Sequence, residues 1–120
     1  MKFTVIKVSP SQNVTDRMHW AAKRKLKEDW HWLMYEQTQP YFEVFKLIDC
    51  DHKVFDHVKI TRFGARKLDE GNLIGGLKVM VDNLIDLGLI EDDSPDKCTF
   101  EYHQETGKPY RTEFELSVRG

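Results

Sequence analysis

Carboxylates dominate the one stretch of this 120-residue chain whose side chains could do chemistry. Asp69 and Glu70 share one turn, Asp92 and Asp93 share another, and Asn72, Lys78, Asp82, Asp86 and Glu91 fall between them. Oxygen donors without Cys or His suit a hard divalent ion such as Mg²⁺, which takes one or two carboxylates together with waters and substrate phosphates. An ion held in this way orients and activates water and neutralises charge on a scissile phosphate and its leaving oxygen, so a metal-dependent phosphodiesterase is chemically sensible. The plainer reading is that carboxylates at helix N-termini complement the helix dipole and that acidic loops are common on any soluble surface.

The elements that must position these residues are legible as patterns. Phe3 to Val8 is apolar at both parities and predicts a strand covered on both faces, ended by Ser9-Pro10-Ser11. Ser11, Thr15 and Asp16 are candidate caps for a long amphipathic helix through Met18, Ala22, Leu26, Trp30, Leu33 and Gln37, expected to stop before Pro40. Tyr41 to Ile48 is ambiguous between helix and strand, whereas Lys53 to Phe63 alternates as a half-buried strand with Val54, Val58 and Ile60 inward. Leu73, Leu77, Val81, Leu84 and Ile85 predict a second helix with Asn72 as its cap and Gly88 as its stop. Two alternating runs then follow, at 98–103 and 110–118, joined by Glu105-Thr106-Gly107-Lys108 as a hairpin loop. The order lacks the regular alternation of a doubly wound sheet and predicts an α+β fold, one small domain over residues 1–120 with a mixed sheet packed against two helices.

Helix length constrains the acidic turns. A helix from Leu73 to Leu87 is about 22 Å long at 1.5 Å per residue, and the six residues after it reach about 20 Å when extended. Asp69 and Asp93 meet only if the return is nearly straight, if the helix is shorter, or if a second chain supplies one of them.

Taken in order, Arg66-Lys67-Leu68-Asp69-Glu70-Gly71-Asn72-Leu73, then Lys78, Asp82, Leu84 and Gly88, then Asp92-Asp93-Ser94, the stretch resembles the RusA family of Holliday junction resolvases. That family carries an Asp-x-Asp-Asn-Leu turn, a downstream lysine, an Asp-x-Leu helical step, and a glycine followed by Asp-Asp. The resemblance implies a RusA-like fold and a homodimeric, Mg²⁺-dependent endodeoxyribonuclease that nicks two strands symmetrically across branched DNA, with Mn²⁺ as a possible substitute. It implies Asp69, Lys78 and Asp93 as catalytic residues, Asp69, Glu70, Asp92 and Asp93 as metal ligands, and Asn72 and Asp82 in support. The chain departs from the family at Gly71, which stands where the second Asp of Asp-x-Asp would fall and has no side chain to bind a metal. Either Glu70 supplies the missing oxygen or the metal is held by fewer carboxylates. Lys78 also lies farther past the asparagine than in the family's type member. A branched-DNA-binding dimer of the same fold that does not cut is the alternative, and a protein-binding role for the first helix is a third.

Eighteen Lys plus Arg against twenty Asp plus Glu leave a net charge of −2, which excludes binding nucleic acid through bulk charge. DNA contacts must come from local patches: Lys23, Arg24, Lys25 and Lys27 on the first helix, and Arg62, Arg66 and Lys67 leading into the acidic turn. A solvated helix face is the plain reading of the first group. Trp20, Trp30, Trp32 and Tyr35 have the chemistry to stack on unpaired bases, although core or dimer contacts are the commoner use of such residues. The five histidines lack ligand spacing for zinc, and Thr106-Gly107-Lys108 lacks the full spacing of a phosphate loop. Nothing approaches a membrane span or a secretory leader, and no small-molecule cofactor is expected. Cys50 and Cys98 are too few for a disulfide framework, so reduced thiols in a cytoplasm are expected, with a phage-borne origin suggested by the resemblance.

Overall fold

The structure, a computed structural model, describes residues 1–47 and 54–119. The elements in chain order are β1 (Lys2–Val5), α1 (Gln12–Asp16), α2 (Trp20–Leu47), β2 (His57–Gly64), α3 (Glu70–Gly76), α4 (Lys78–Asp86), β3 (Thr99–Thr106) and β4 (Arg111–Ser117). The strands form one mixed sheet in the order β1-β4-β2-β3, in which β4 runs antiparallel to both neighbours and β3 runs parallel to β2. The α+β class read from the sequence is therefore the class observed. Cys50, His52 and Lys53 lie outside the described residues; the strand expected over 53–63 begins only at His57, and Val54, expected inward, precedes it and is 49% exposed.

Side-chain alternation explains the two layers. Phe3 and Val5 of β1, Val58 and Ile60 of β2, and Phe114 and Leu116 of β4 are buried on one face, where Phe3 stacks on Phe114 at 4.6 Å between ring centroids. Trp30 and Met34 of α2, Leu73 of α3, and Met80, Val81 and Leu84 of α4 close the same core. The opposite face carries Lys59, Thr61, Glu113 and Glu115, along with a buried imidazole, that of His57. That ring contacts Thr99 Oγ1 at 2.7 Å and Glu101 Oε2 at 2.6 Å across the parallel pair.

Several expectations are corrected. The first strand is covered on one face only and is shorter than 3–8, with Ile6 already 72% exposed. Ser11 caps the short α1, accepting from Val14 N at 3.3 Å, while Thr15 and Asp16 lie within that helix. The long helix begins at Trp20 and runs through Pro40 instead of stopping before it. A proline costs a helix one hydrogen bond and a clash, but Thr38, Tyr41 and Phe42 around it are drawn into the interior, Tyr41 lying 5.5 Å from the ring of Phe55. Apolar packing beyond the proline outweighs the local penalty.

The expected hairpin is absent: β3 and β4 lie on opposite sides of β2. Alternation identifies a strand but not its partner, and β2, buried at every second position, takes a neighbour on each edge. Glu105 and Thr106 belong to β3, and the link to β4 crosses the end of β2, where Gly107 N donates to Gly64 O at 3.2 Å. The single helix expected over 73–87 is two helices, broken at Leu77, whose N–H reaches Leu73 O at 3.1 Å and Ile74 O at 3.2 Å. Gly76, at the end of α3, lies against the chain before α1: a Cβ there would stand 2.1 Å from Pro10 O. Gly71, by contrast, has only Asp69 Oδ1 near, at 3.6 Å.

Gly76→Ala forces rigid backbone apart and is expected to destabilise the fold by about 1–3 kcal/mol in urea unfolding. Gly71→Ala, in open space inside a helix, is expected to stabilise it by about 0.5–1 kcal/mol. Equal effects of the two substitutions would contradict this packing.

Candidate active site

The parallel pairing of β2 with β3 requires a crossover, and the crossover carries all the acidic residues singled out above. Its first turn is fixed from the sheet side. Gln104, pointing toward the helices from β3, donates to Leu68 O at 2.6 Å and accepts from Leu68 N at 2.8 Å, clamping the residue before Asp69. Asp69 then caps α3, in the place expected for Asn72: its Oδ1 accepts from Asn72 N at 3.0 Å and its Oδ2 from Asn72 Nδ2 at 2.6 Å. Asn72 Oδ1 accepts from Asn13 N at 3.0 Å, tying this turn to α1. Hydrogen bonds from Asn72, its backbone N–H first, hold the Asp69 carboxyl below the usual aspartate range.

The second acidic turn is swung back by the end of α4. Gly88, at φ 76°, stops the helix in the left-handed region that favours glycine, and Leu89 and Ile90 bury themselves. Phe55 N donates to Leu89 O at 2.9 Å. The chain thereby returns Asp93 to the start of α4, where Lys78 Nζ donates to Asp93 Oδ2. The same ammonium lies 3.1 Å from Asp82 Oδ1, one helical turn on. Lys78 lowers the Asp93 pKa, and Asp93 first, then Asp82, raises that of Lys78. Tyr102 lies beside this group, feels the charges of Lys78 and Asp93, and has its hydroxyl pKa raised by burial.

The structure therefore joins Lys78, Asp82 and Asp93 and keeps Asp69 with Asn72 as a separate pair. Glu70 and Asp92 are exposed, and Glu70 bonds to neither group. Among the described residues no three His, Cys, Asp or Glu side chains are grouped to hold a metal ion. What does converge is a pair of carboxylates, Asp82 and Asp93, on the Lys78 ammonium. Cys98 does not enter this chemistry, since burial pushes its thiol up to about 11.

The basic residues divide as well. Arg62, expected on a DNA-facing surface, is buried and donates to Ser9 O at 3.2 Å and Arg66 O at 3.3 Å; desolvation lowers its pKa. It anchors the 9–10 and 66 segments to the sheet. Arg66 and Lys67 are exposed next to Asp69. On α2, Arg24 pairs with Glu28 at 3.4 Å, Lys25 with Asp29 at 3.5 Å and Lys27 with Asp86 at 3.3 Å, whereas Lys23 is exposed and outside these pairs. Trp30 is core, but Trp20 and Trp32 are largely exposed. Sequence reasoning missed Tyr102 and Gln104; the signal was two polar groups on the inward parity of β3.

Compared with models of known protein families, with curated protein sequences and with solved structures, the chain matches none. Among the described residues no helix is long and apolar enough to cross a membrane.

Both depressed carboxylates stabilise the fold above the aspartate range, and their contribution is lost as pH falls through their folded pKa values; that of Lys78 is lost only as pH rises through its raised value. In carboxyl NMR titrations, Lys78→Met is expected to return Asp93 toward the usual range and leave Asp69 depressed. Asn72→Ala should move Asp69 and leave Asp93. Joint movement in either variant would refute two independent groups.

Proposed function

We propose that the chain is a RusA-type endodeoxyribonuclease that acts as a homodimer on Holliday junctions or other branched DNA, with Mg²⁺ as its cofactor. One observation carries the reading: Lys78, Asp82 and Asp93, three positions that the resemblance singles out across fifteen residues of separation, meet at a single ammonium. Asp93, with Asp92 beside it, would hold the ion together with Asp69, whose carboxylate is engaged with Asn72 in the structure and would have to turn from that cap to join it; the ion would activate water and neutralise charge on the scissile phosphate. Lys78 keeps Asp93 ionised and, more than half exposed though paired with Asp82 and Asp93, would exchange a carboxylate for a phosphate. Exposed Arg66 and Lys67 give the backbone of the DNA a cationic approach to Asp69. Two symmetric cuts call for two such sites related by a two-fold axis.

Gly71 favours a second reading, a dimer of the same fold that binds branched DNA without cutting, because position 71 supplies no carboxylate and Glu70 does not turn in to replace it. The two readings separate on a labelled synthetic four-way junction, with a linear duplex and chelator as controls. Mg²⁺-dependent paired nicks confined to the junction are expected, and junction binding without cleavage in Mg²⁺ or Mn²⁺ would establish the second reading.

Asp93→Asn is expected to abolish cutting and spare junction binding in gel shifts, since it removes a ligand and no cation. Wild-type cutting by that variant would displace the site. Gly71→Asp, whose Cβ has room beside Asp69, is expected to lower the Mg²⁺ concentration needed for half-maximal cutting. No change, or a rise, would show that a second carboxylate in that turn does not serve the metal.

A further inference from the structure

An outermost strand of a sheet keeps one row of backbone N–H and C=O groups without a neighbour, and folded proteins blunt such edges with short strands, lysines, prolines or bulges. The order β1-β4-β2-β3 makes β1 and β3 the two edges. The β1 edge is blunted, being four residues long and carrying Lys2. The β3 edge is not. It runs for eight residues, Thr99–Thr106, without proline, lysine or arginine, and its register with β2 is unbroken from His57 opposite Thr99 to Gly64 opposite Thr106, so no bulge turns it away. Among the described residues no strand lies beyond it.

Hydrogen bonds at the two ends of β3 fix which groups face outward. Thr99 N donates to Asp56 O at 2.9 Å and Gly107 N to Gly64 O at 3.2 Å, both toward β2. Backbone direction alternates along a strand, so Glu101, His103 and Glu105 also turn their backbone groups to β2, while Phe100, Tyr102, Gln104 and Thr106 turn theirs to the open edge. The side chains divide in the same rhythm. Phe100 and Tyr102, stacked at 5.9 Å between ring centroids, pack against the core, and Thr99, Glu101, His103 and Glu105 are exposed on the opposite face.

This pattern is self-complementary. When β3 pairs antiparallel with its own copy about a two-fold axis at Tyr102, Phe100 faces Gln104 and Tyr102 faces Tyr102, and each facing pair exchanges two backbone hydrogen bonds. Between them Glu101 faces His103 on both sides of the axis and Thr99 faces Glu105, so no like charges are opposed. A slip of one residue sets outward groups against inward ones and loses the bonds. Slipping by two residues one way sets Glu101 against Glu101, and the other way sets Glu101 against Glu105 twice.

We propose that the open edge of β3 is an interface with a second copy of this chain, paired antiparallel with Tyr102 on the two-fold axis and Glu101 opposite His103, so that one sheet runs through both copies. The interface is isologous and closes on itself, which leaves no edge for further addition at β3. The proposal deepens the homodimer of the nuclease reading and is independent of cleavage. Tyr102 lies beside Lys78 and Asp93, so this axis sets one Lys78–Asp93 group on either side of it, both on the helix-covered face.

The test follows the full chain by sedimentation across a range of concentrations and by backbone amide exchange in NMR. Wild type is expected to dimerise with slow exchange at the Phe100, Tyr102 and Gln104 amides, and dilution to monomer should speed these three while Glu101 and His103, bonded to β2, stay slow. His103→Glu sets glutamates opposite one another and is expected to weaken the dimer about tenfold, whereas His103→Lys should keep it. A dimer whose Phe100, Tyr102 and Gln104 amides exchange freely would overturn the interface and leave the homodimer of the nuclease reading standing. A chain that stays monomeric at every concentration would overturn both. His103→Glu that dimerises as tightly as wild type would overturn the pairing of Glu101 with His103. A dimer protected at these amides that cuts no junction would support the interface and count against the nuclease alone.

Discussion

Parallel pairing of β2 with β3 is the constraint on which the rest of the molecule depends. Two parallel neighbours cannot be joined by a tight turn, because the chain must return to the same end of the sheet before it can continue in the same direction. Here the return is made by α3 and α4, which also supply Leu73, Leu77, Met80, Val81 and Leu84 to the core. The segment that carries the acidic residues is thus the segment the sheet needs as its cover. Its two turns are fixed by packing as much as by polar bonds: Gln104 clamps the entry at Leu68, and buried Leu89 and Ile90 fix the exit.

That constraint also separates what the sequence made legible from what it did not. Features set by residues close in the chain could be read directly: the inward parity of Val58 and Ile60 and the stop at Gly88. Features set by contacts across the sheet could not. The strands at 99–106 and 111–117 alternate as a hairpin would, and only the two open edges of β2 decide that they part. Arg62 reads as a surface cation until its neighbours are known; the carbonyls of Ser9 and Arg66 that receive it lie in segments far apart in the chain or across a turn. Pro40 reads as a helix end because the penalty is local, whereas the packing of Tyr41 and Phe42 that overrides it is tertiary.

The candidate site was legible as a set of residues but not as a grouping. Asp69 and Asp93 are not brought together: the helix expected between them is broken at Leu77, where Gly76 fits against Pro10, and Asp93 returns to Lys78 at the start of α4. Asp69 is occupied with capping α3, a task that any carboxylate at that position performs. Asp93 owes its place to a specific cation. The two acids thus have depressed pKa values for different reasons, one from backbone and amide hydrogen bonds and the other from an ion pair. The cap joins residues within one turn, whereas the ion pair joins residues fifteen apart in the chain.

Net charge and local charge part company in the same way. A chain at −2 repels a polyanion on average, yet many of its acids are already paired with cations on the same surface, as Glu28, Asp29 and Asp86 are. Pairs of this kind are nearly neutral at a distance beyond the screening length, about 8 Å at physiological salt. What a phosphate approaching the surface encounters is therefore set by the exposed cations outside such pairs. Lys23 on α2 and Arg17 before it are exposed outside those pairs, as are Arg66 and Lys67 beside Asp69. The local potential of this surface is thus set by where a few charges are left unneutralised and not by how many the sequence contains.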